Sequence, residues 1–120
     1  MEKVYDILIV GGGPSGITAG IYAKRAGRDV AILEKFVVGG QVALIGHIDN
    51  YPGFPVVAGD ELTKAFKNHA KSLDVPFIYD DITDYDFSKE IKVLKGGKQE
   101  YRAKAVILAM GSHSKELNIE

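Results

Sequence analysis

The length, composition and charge of this chain exclude several classes of protein before any motif is considered. Its 120 residues suit one domain, and 46% of them are hydrophobic, which is enough for a core. A net charge of −1 gives no electrostatic case for nucleic acid or an anionic membrane. Without cysteine, the sequence can form no disulfide, thiolate metal site or cysteine nucleophile. No apolar run has the length of a membrane span and no signal peptide is recognisable, so we expect a cytoplasmic protein.

A strand, a helix and a second strand are predicted in the first third of the chain. Residues 7–10 form an uninterrupted apolar run, typical of a parallel strand covered on both faces. A helix is predicted over residues 14–26, with Pro14 in its first turn, where a missing backbone N–H is no loss. The next strand is predicted over residues 29–33, in which Asp29 is followed by an apolar run. This β-α-β order indicates an α/β fold.

The turn between the first strand and the helix predicts a nucleotide site. Gly11 lets the chain turn sharply, Gly13 lets a diphosphate approach the backbone, and Gly16 lets the helix lie close to the strand. Free N–H groups and the positive end of the helix dipole then face the phosphates. Glu34 follows the second strand, where a carboxylate can accept hydrogen bonds from both ribose hydroxyls and repel a 2′-phosphate. The combination favours an adenine dinucleotide, FAD or NAD, over an ordinary glycine turn.

The remaining predicted elements are a loop, a helix and several strands. Residues 36–57 form a long loop, and loops of this length in a compact domain are usually functional. A helix is predicted over residues 59–73. Its apolar stripe consists of Leu62, Ala65, Phe66, Ala70 and Leu73, with His69 along it. The later strands are residues 76–79, 81–87, 90–94, 100–103 and 105–109, of which the middle three form a small antiparallel meander and the last is a buried parallel strand.

Five segments carry a resemblance to a known family. They are residues 11–16 (Gly-Gly-Gly-Pro-Ser-Gly), Glu34, residues 39–41 (Gly-Gly-Gln), residues 49–54 (Asp-Asn-Tyr-Pro-Gly-Phe) and residues 107–112 (Ile-Leu-Ala-Met-Gly-Ser). In order and spacing they resemble the FAD-binding domain of flavoproteins with two dinucleotide-binding domains, and most of all the low-molecular-weight bacterial thioredoxin reductases. The resemblance covers essentially the whole chain. It implies that residues 1–120 form one Rossmann-like FAD-binding domain, a parallel sheet with helices plus an antiparallel meander, which is incomplete at the C-terminal side.

The residues implied to bind FAD fall into three groups, according to the part of the cofactor they would meet. Those at the diphosphate are Gly11, Gly13, Pro14, Ser15 and Gly16. Those at the adenosine are Glu34 at the ribose, Lys35 beside the adenine, and Ile82, whose backbone would meet the adenine edge. Those at the ribityl chain and flavin are Gly40, Gln41 and Asn50, while Ala109 and Gly111 would let the last strand approach the cofactor.

The resemblance also implies an activity for the parent enzyme. Such enzymes pass electrons from NAD(P)H through FAD to a redox-active cysteine pair, act on a thioredoxin-like protein or another acceptor, and are homodimers at full length. The NAD(P)H-binding domain and the cysteine pair lie outside the present sequence, so no catalytic residue is assigned here. Met110 stands where the family usually has threonine. Two alternatives stay open: a ferredoxin–NADP reductase of the same type, and a stand-alone nucleotide-binding module without a catalytic role.

Two further groups of residues are expected to be structural rather than functional, and two roles are open for a third. His47, His69 and His113 lack the spacing of metal ligands, so no metal site is expected. The acidic residues Asp80, Asp81, Asp84 and Asp86 are expected on turns and solvated strand faces, because the run lacks the glycine and closing glutamate of a calcium loop. Tyr51 and Phe54 are equally compatible with packing the loop down and with facing the flavin.

Overall fold

The computed structural model describes residues 3–111, so the predictions for Ser112 and His113 lie outside the described residues. The helices are α1 (Pro14–Arg25), a short 3₁₀ helix (Gly40–Leu44) and α2 (Gly59–Ser72). The strands are β1 (Val4–Val10), β2 (Val30–Glu34), β3 (Phe77–Tyr79), β4 (Ile82–Asp86), β5 (Lys92–Gly96) and β6 (Glu100–Leu108). Both predicted α-helices are confirmed, each beginning at the predicted residue and ending one residue early. Over the described range, no helix has the length and apolarity needed to cross a bilayer.

The six strands form one mixed sheet in the order β3-β2-β1-β6-β5-β4. The pairs β3–β2, β2–β1 and β1–β6 are parallel, whereas β6–β5 and β5–β4 are antiparallel. The α/β class and the antiparallel meander are therefore confirmed. The first strand lies in the middle of the parallel part, where Leu8 pairs with Ala31 on one side and Val106 on the other.

Two apolar cores cover the two faces of the parallel strands. Because side chains alternate along a strand, Ile9 of β1 joins a core with residues of α1 and α2, while Leu8 joins a core on the other face. The second core includes Leu94 of β5 and Tyr101 of β6. The meander thus lies over the face that the helices leave open, and β1 and β2 are buried at residues 8–10 and 30–33 as the apolar runs predict. The prediction that residues 105–109 form a buried strand is wrong, because Ala105, Ile107 and Leu108 are exposed where β6 no longer pairs with β5.

The end of the sheet differs from the prediction in two places. The segments predicted as separate strands at residues 100–103 and 105–109 are one continuous strand, because β1 pairs with β6 on both sides of Lys104. The strand predicted to begin at Glu90 begins at Lys92. The Lys92 ammonium donates hydrogen bonds to the carbonyls of Lys89 and Glu90, which belong to the preceding turn.

The stripe predicted for α2 is wrong at one position. Ala65 is exposed, whereas Thr63 is buried, with only 5% of its surface accessible. Thr63 is buried because α2 also packs against the loop before the 3₁₀ helix, where a Cβ on Gly39 would lie 2.9 Å from the Thr63 Cβ. His69 is exposed. The long loop is confirmed, although it contains the 3₁₀ helix and an isolated antiparallel bridge between Ile48 and Val57.

Candidate functional site

The carboxyl ends of β1, β2 and β6 meet at one point of the sheet. The Gly11 amide donates to the Leu33 carbonyl at 2.8 Å, and the Ala109 amide donates to the Val10 carbonyl at 2.8 Å. Gly11 has a φ of +119°, and a Cβ there would collide with the Ala109 carbonyl, so only glycine fits. In open α/β sheets, ligands bind in the crevice outside the carboxyl ends of the strands, at the point where the strand order reverses. The strand order places such a crevice beside β1.

The N-terminus of α1 opens into this crevice. Gly13 is the N-cap residue and provides no side-chain cap, and Pro14 occupies the first turn as predicted. Within the described residues, the amides of Gly13, Ser15 and Gly16 donate no hydrogen bond. These N–H groups and the positive end of the helix dipole are therefore available to an anion. The helix can begin so close to the strand because Gly16 has no Cβ. A Cβ there would collide with the Gly11 carbonyl.

The Glu34 carboxylate is held directly beside the glycine turn. Its Oε1 accepts a hydrogen bond from the Gly12 amide at 2.8 Å, and its Oε2 accepts one from the Phe36 amide at 2.8 Å. Each carboxylate oxygen can accept about two hydrogen bonds, so both oxygens retain capacity for hydroxyl donors. The two backbone contacts fix the carboxylate without using up its binding capacity.

The beginning of the long loop also lies against the glycine turn. The Gly39 amide donates to the Gly12 carbonyl at 2.6 Å. A Cβ on Gly40 would lie 3.3 Å from the Gly13 Cα, whereas a Cβ on Gly13 would come no closer than 3.9 Å to any neighbour. Gly39 and Gly40 both have positive φ values, +112° and +61°. The loop therefore approaches the turn with backbone alone, and Gly13 keeps open space beside it.

Other predicted site residues lie apart from this cluster. Lys35 is exposed, with its ammonium 5.0 Å from the centre of the Phe36 ring. Gln41 and Asn50 are exposed on the 3₁₀ helix and on the following turn. Ile82 begins β4 and packs against the second core. For the described residues, no hydrogen bond joins Gln41, Asn50 or Ile82 to the glycine turn. A Cβ on Gly111 would meet no described atom within 4 Å.

The aromatic residues of the loop pack it onto α2. The Tyr51 ring meets Phe66 edge-on at 5.7 Å between centroids, and Phe54 lies 6.1 Å from Tyr51. Tyr51 thus takes the packing role of the two that the sequence allows. Residues 49–55 line a shallow surface depression that includes Asn50. The aromatic contacts fix the place of this turn relative to α2.

The prediction that the acidic run is solvated is wrong at Asp80, which is only 6% exposed. Its carboxylate accepts hydrogen bonds from the Tyr101 hydroxyl at 2.7 Å and from the amides of Asp81 and Lys98. Burial raises the pKa of Asp80, but these donors outweigh it and leave the pKa below its ordinary value. Burial and the neighbouring carboxylate raise the pKa of Tyr101 to about 12. Sequence reasoning missed Asp80 because it stands among acids that are exposed.

Comparison with known proteins identifies the family of this chain. The family described as pyridine nucleotide-disulphide oxidoreductase matches residues 5–120. The chain belongs to the pyridine nucleotide-disulphide oxidoreductase family. The resemblance stated from the sequence motifs is thereby confirmed.

Several proteins that this chain is similar to are thioredoxin reductases. The enzyme of Bacillus subtilis is 41% identical over 118 residues, which are 98% of this chain and 37% of that protein. The crystal structure of thioredoxin reductase from Streptococcus pyogenes matches with a TM-score of 0.92 at 34% identity, over 99% of this chain and 39% of the other. A ferredoxin-flavin thioredoxin reductase from Clostridium acetobutylicum matches with a TM-score of 0.86 at 30% identity, over 98% of this chain and 41% of that one. The chain spans just over a third of the length of these relatives.

Proposed function

We propose that the chain binds FAD in the crevice at the carboxyl end of β1 and serves as the FAD-binding part of a thioredoxin-reductase-like oxidoreductase. One observation carries this proposal: the Glu34 carboxylate lies 2.8 Å from the Gly12 amide, directly beside the free amides at the start of α1. A ribose site and a diphosphate site are then adjacent, as an adenine dinucleotide requires.

The diphosphate half of this site is built from backbone. The N–H groups of Gly13, Ser15 and Gly16 would donate to phosphate oxygens, and the dipole of α1 favours the negative charge. Pro14 removes one N–H at the helix start but fixes its backbone for the first turn. Gly11 contributes by letting β1 end close to β6. The open space beside Gly13 fits a phosphate that approaches the main chain closely.

The adenosine half would be bound by the side chains of Glu34 and Lys35 and by backbone. Glu34 would accept hydrogen bonds from both ribose hydroxyls, and its charge would repel a 2′-phosphate. Lys35 is exposed at the next position, where it would lie along the adenine. The backbone of Ile82 would meet the adenine edge, because a backbone amide can read a base without a particular side chain.

The flavin half would lie along the loop and the end of β6. Gly40 and Gln41 would pass beside the ribityl chain, and Asn50 would donate a hydrogen bond near the ring. Ala109 and Gly111 would allow close approach of the last strand. Binding there orients the flavin and limits its contact with water, which are the tasks of the protein in flavin enzymes. Bound flavin supplies the transfer of electrons from NAD(P)H to a disulfide.

The chain's own composition limits its share of the reaction. It contains no cysteine, so a redox-active dithiol must come from residues beyond this sequence or from another protein. We propose a thioredoxin-like protein as the electron acceptor, in keeping with the names of the similar proteins. The residues of this chain then hold and orient the cofactor.

A ferredoxin-linked reaction is a second candidate. It is favoured by the likeness to the ferredoxin-flavin thioredoxin reductase of Clostridium acetobutylicum, whose name assigns it a ferredoxin as well as a thioredoxin. In that case the same crevice would hold the flavin, and reduced ferredoxin would replace NAD(P)H as the electron donor.

Assays of the full-length protein with FAD distinguish these candidates. The proposal predicts reduction of oxidised thioredoxin with NADPH or NADH as the donor, followed as loss of absorbance at the nicotinamide band. Reduction with photoreduced ferredoxin but with neither nicotinamide would favour the second candidate. Failure to reduce thioredoxin with any of the three donors, in protein that retains its flavin, would overturn the assignment as a thioredoxin-reductase-like enzyme.

A further inference from the structure

Asp80 is a buried carboxylate whose charge is satisfied by neutral donors. It is 6% exposed, and its oxygens accept hydrogen bonds from the Tyr101 hydroxyl at 2.7 Å, the Asp81 amide at 2.8 Å and the Lys98 amide at 3.1 Å. Burying a carboxylate costs free energy that only several good hydrogen bonds can offset. A side chain held in this way fixes the segments that donate to it.

The segments that meet at Asp80 come from both halves of the sheet. Asp80 links β3, at one end of the sheet order, to β4, at the other. Its amide donates to the Glu34 carbonyl at 3.1 Å, at the end of β2. Its carboxylate holds the turn between β5 and β6 through Lys98, and the Gly97 amide donates to the Asp81 carbonyl at 3.1 Å. Asp80 therefore contacts the β5–β6 turn through its side chain and the carboxyl end of β2 through its backbone amide.

Two groups proposed for the adenosine lie immediately beside this junction. Glu34 precedes the junction on β2, and Ile82 follows Asp80 by two residues at the start of β4. Ile82 is paired with Gly96, the residue before the turn that Asp80 holds. Asp80 therefore lies between the strand end that carries Glu34 and the backbone at Ile82, and it contacts the turn beside Gly96.

We propose that Asp80 is a positioning residue for the adenosine half of the dinucleotide, acting through the backbone at Ile82. This inference rests on the proposed function. It assigns no contact between Asp80 and the cofactor. Asp80 instead fixes the Ile82 backbone at the position where it can meet the adenine edge while the Glu34 carboxylate binds the ribose.

The glycine turn of the meander provides a matched pair of variants. A Cβ on Gly96 would collide with the Asp80 carboxylate, whereas a Cβ on Gly97 would lie 3.5 Å from Oδ1, an ordinary contact. Neither glycine has a positive φ, so alanine introduces no backbone strain at either position. Gly96→Ala therefore displaces the carboxylate, and Gly97→Ala is its control.

The test compares FAD with 1,N6-etheno-FAD, in which an added ring blocks the hydrogen-bonding edge of adenine. Dissociation constants are measured by flavin fluorescence on the full-length apoprotein, well below each variant's unfolding midpoint. Wild type should bind the etheno analogue about tenfold more weakly than FAD. Gly96→Ala and Asp80→Asn should bind FAD about tenfold more weakly than wild type does. They should bind FAD and the etheno analogue almost equally, because the variants and the analogue remove the same contact between the Ile82 backbone and adenine. Gly97→Ala should match wild type.

Several results would overturn the inference while leaving the proposed function intact. One is equal binding of the two ligands by wild type. Another is additive losses in Gly96→Ala and Asp80→Asn, which would mean that Asp80 has only a structural role. Should both variants fail to fold, Tyr101→Phe removes a single donor from the carboxylate, and an unchanged ratio of the two constants there would also overturn it. If wild type binds neither ligand, the proposed function itself fails.

Discussion

Glu34 uses its two carboxylate oxygens to hold the amides of Gly12 and Phe36, each at 2.8 Å. A glutamine at this position would turn an NH₂ group toward one of those amides, and that amide would lose its acceptor. The residue therefore shapes the glycine turn and, in the proposed function, also provides the acceptor for the ribose. A change at this one atom should affect both folding and binding.

For Glu34→Gln we expect the free energy of unfolding to fall by about 1 kcal/mol and the affinity for ADP to fall about tenfold. Calorimetric titration with ADP and denaturant unfolding measure the two effects. Glu61→Gln is the control, since that side chain is exposed on α2. An unchanged ADP affinity in Glu34→Gln would remove the ribose role from this carboxylate.

Between elements, the Asp80–Tyr101 hydrogen bond joins the corner after β3 to β6. The pKa of Asp80 is lowered in the fold, so its contribution to stability is present above pH 3.8 and is lost as pH falls further. The pKa of Tyr101 is raised to about 12, so its contribution is present below pH 10 and is lost as pH rises toward 12.

The thermal unfolding midpoint as a function of pH tests this pair. The difference in unfolding midpoint between wild type and Asp80→Asn should be largest near neutral pH and should decrease as pH falls below about 4. The gap between wild type and Tyr101→Phe should narrow as pH rises above about 10. A gap that stays constant across either range would show that the hydrogen bond contributes nothing to the pH dependence of stability.

The elements that sequence predicts well are those with local signals. Pro14 and the glycine turn mark the start of α1, so the helix and the turn before it were both predictable from adjacent residues. The continuity of β6 was not, because it depends on pairing with β1, about a hundred residues earlier. The burial of Asp80 depends likewise on Tyr101, 21 positions away, and no local pattern reports that contact.

Over the whole molecule, the second half of β6 is an apolar strand edge that the described residues leave uncovered. It pairs with β5 only from Glu100 to Ala103. Beyond that point, the described residues provide no second partner strand, and Ile107 and Leu108 are 38% and 51% exposed. An apolar edge of this kind favours association with another strand. Because Ala109 follows directly, whatever covers this edge would also border the proposed flavin half of the site.

Titration of the full-length apoprotein with FAD tests most directly whether the crevice beside β1 holds the cofactor. We expect one FAD bound per chain, competition by ADP, and a loss of affinity of about tenfold or more in Glu34→Ala. Gly46→Ala should leave binding unchanged, since a Cβ there has no neighbour within 4 Å and the backbone has no positive φ. Absence of FAD binding by correctly folded protein, or binding that ADP and Glu34→Ala leave unaffected, would contradict the assignment of this crevice to FAD.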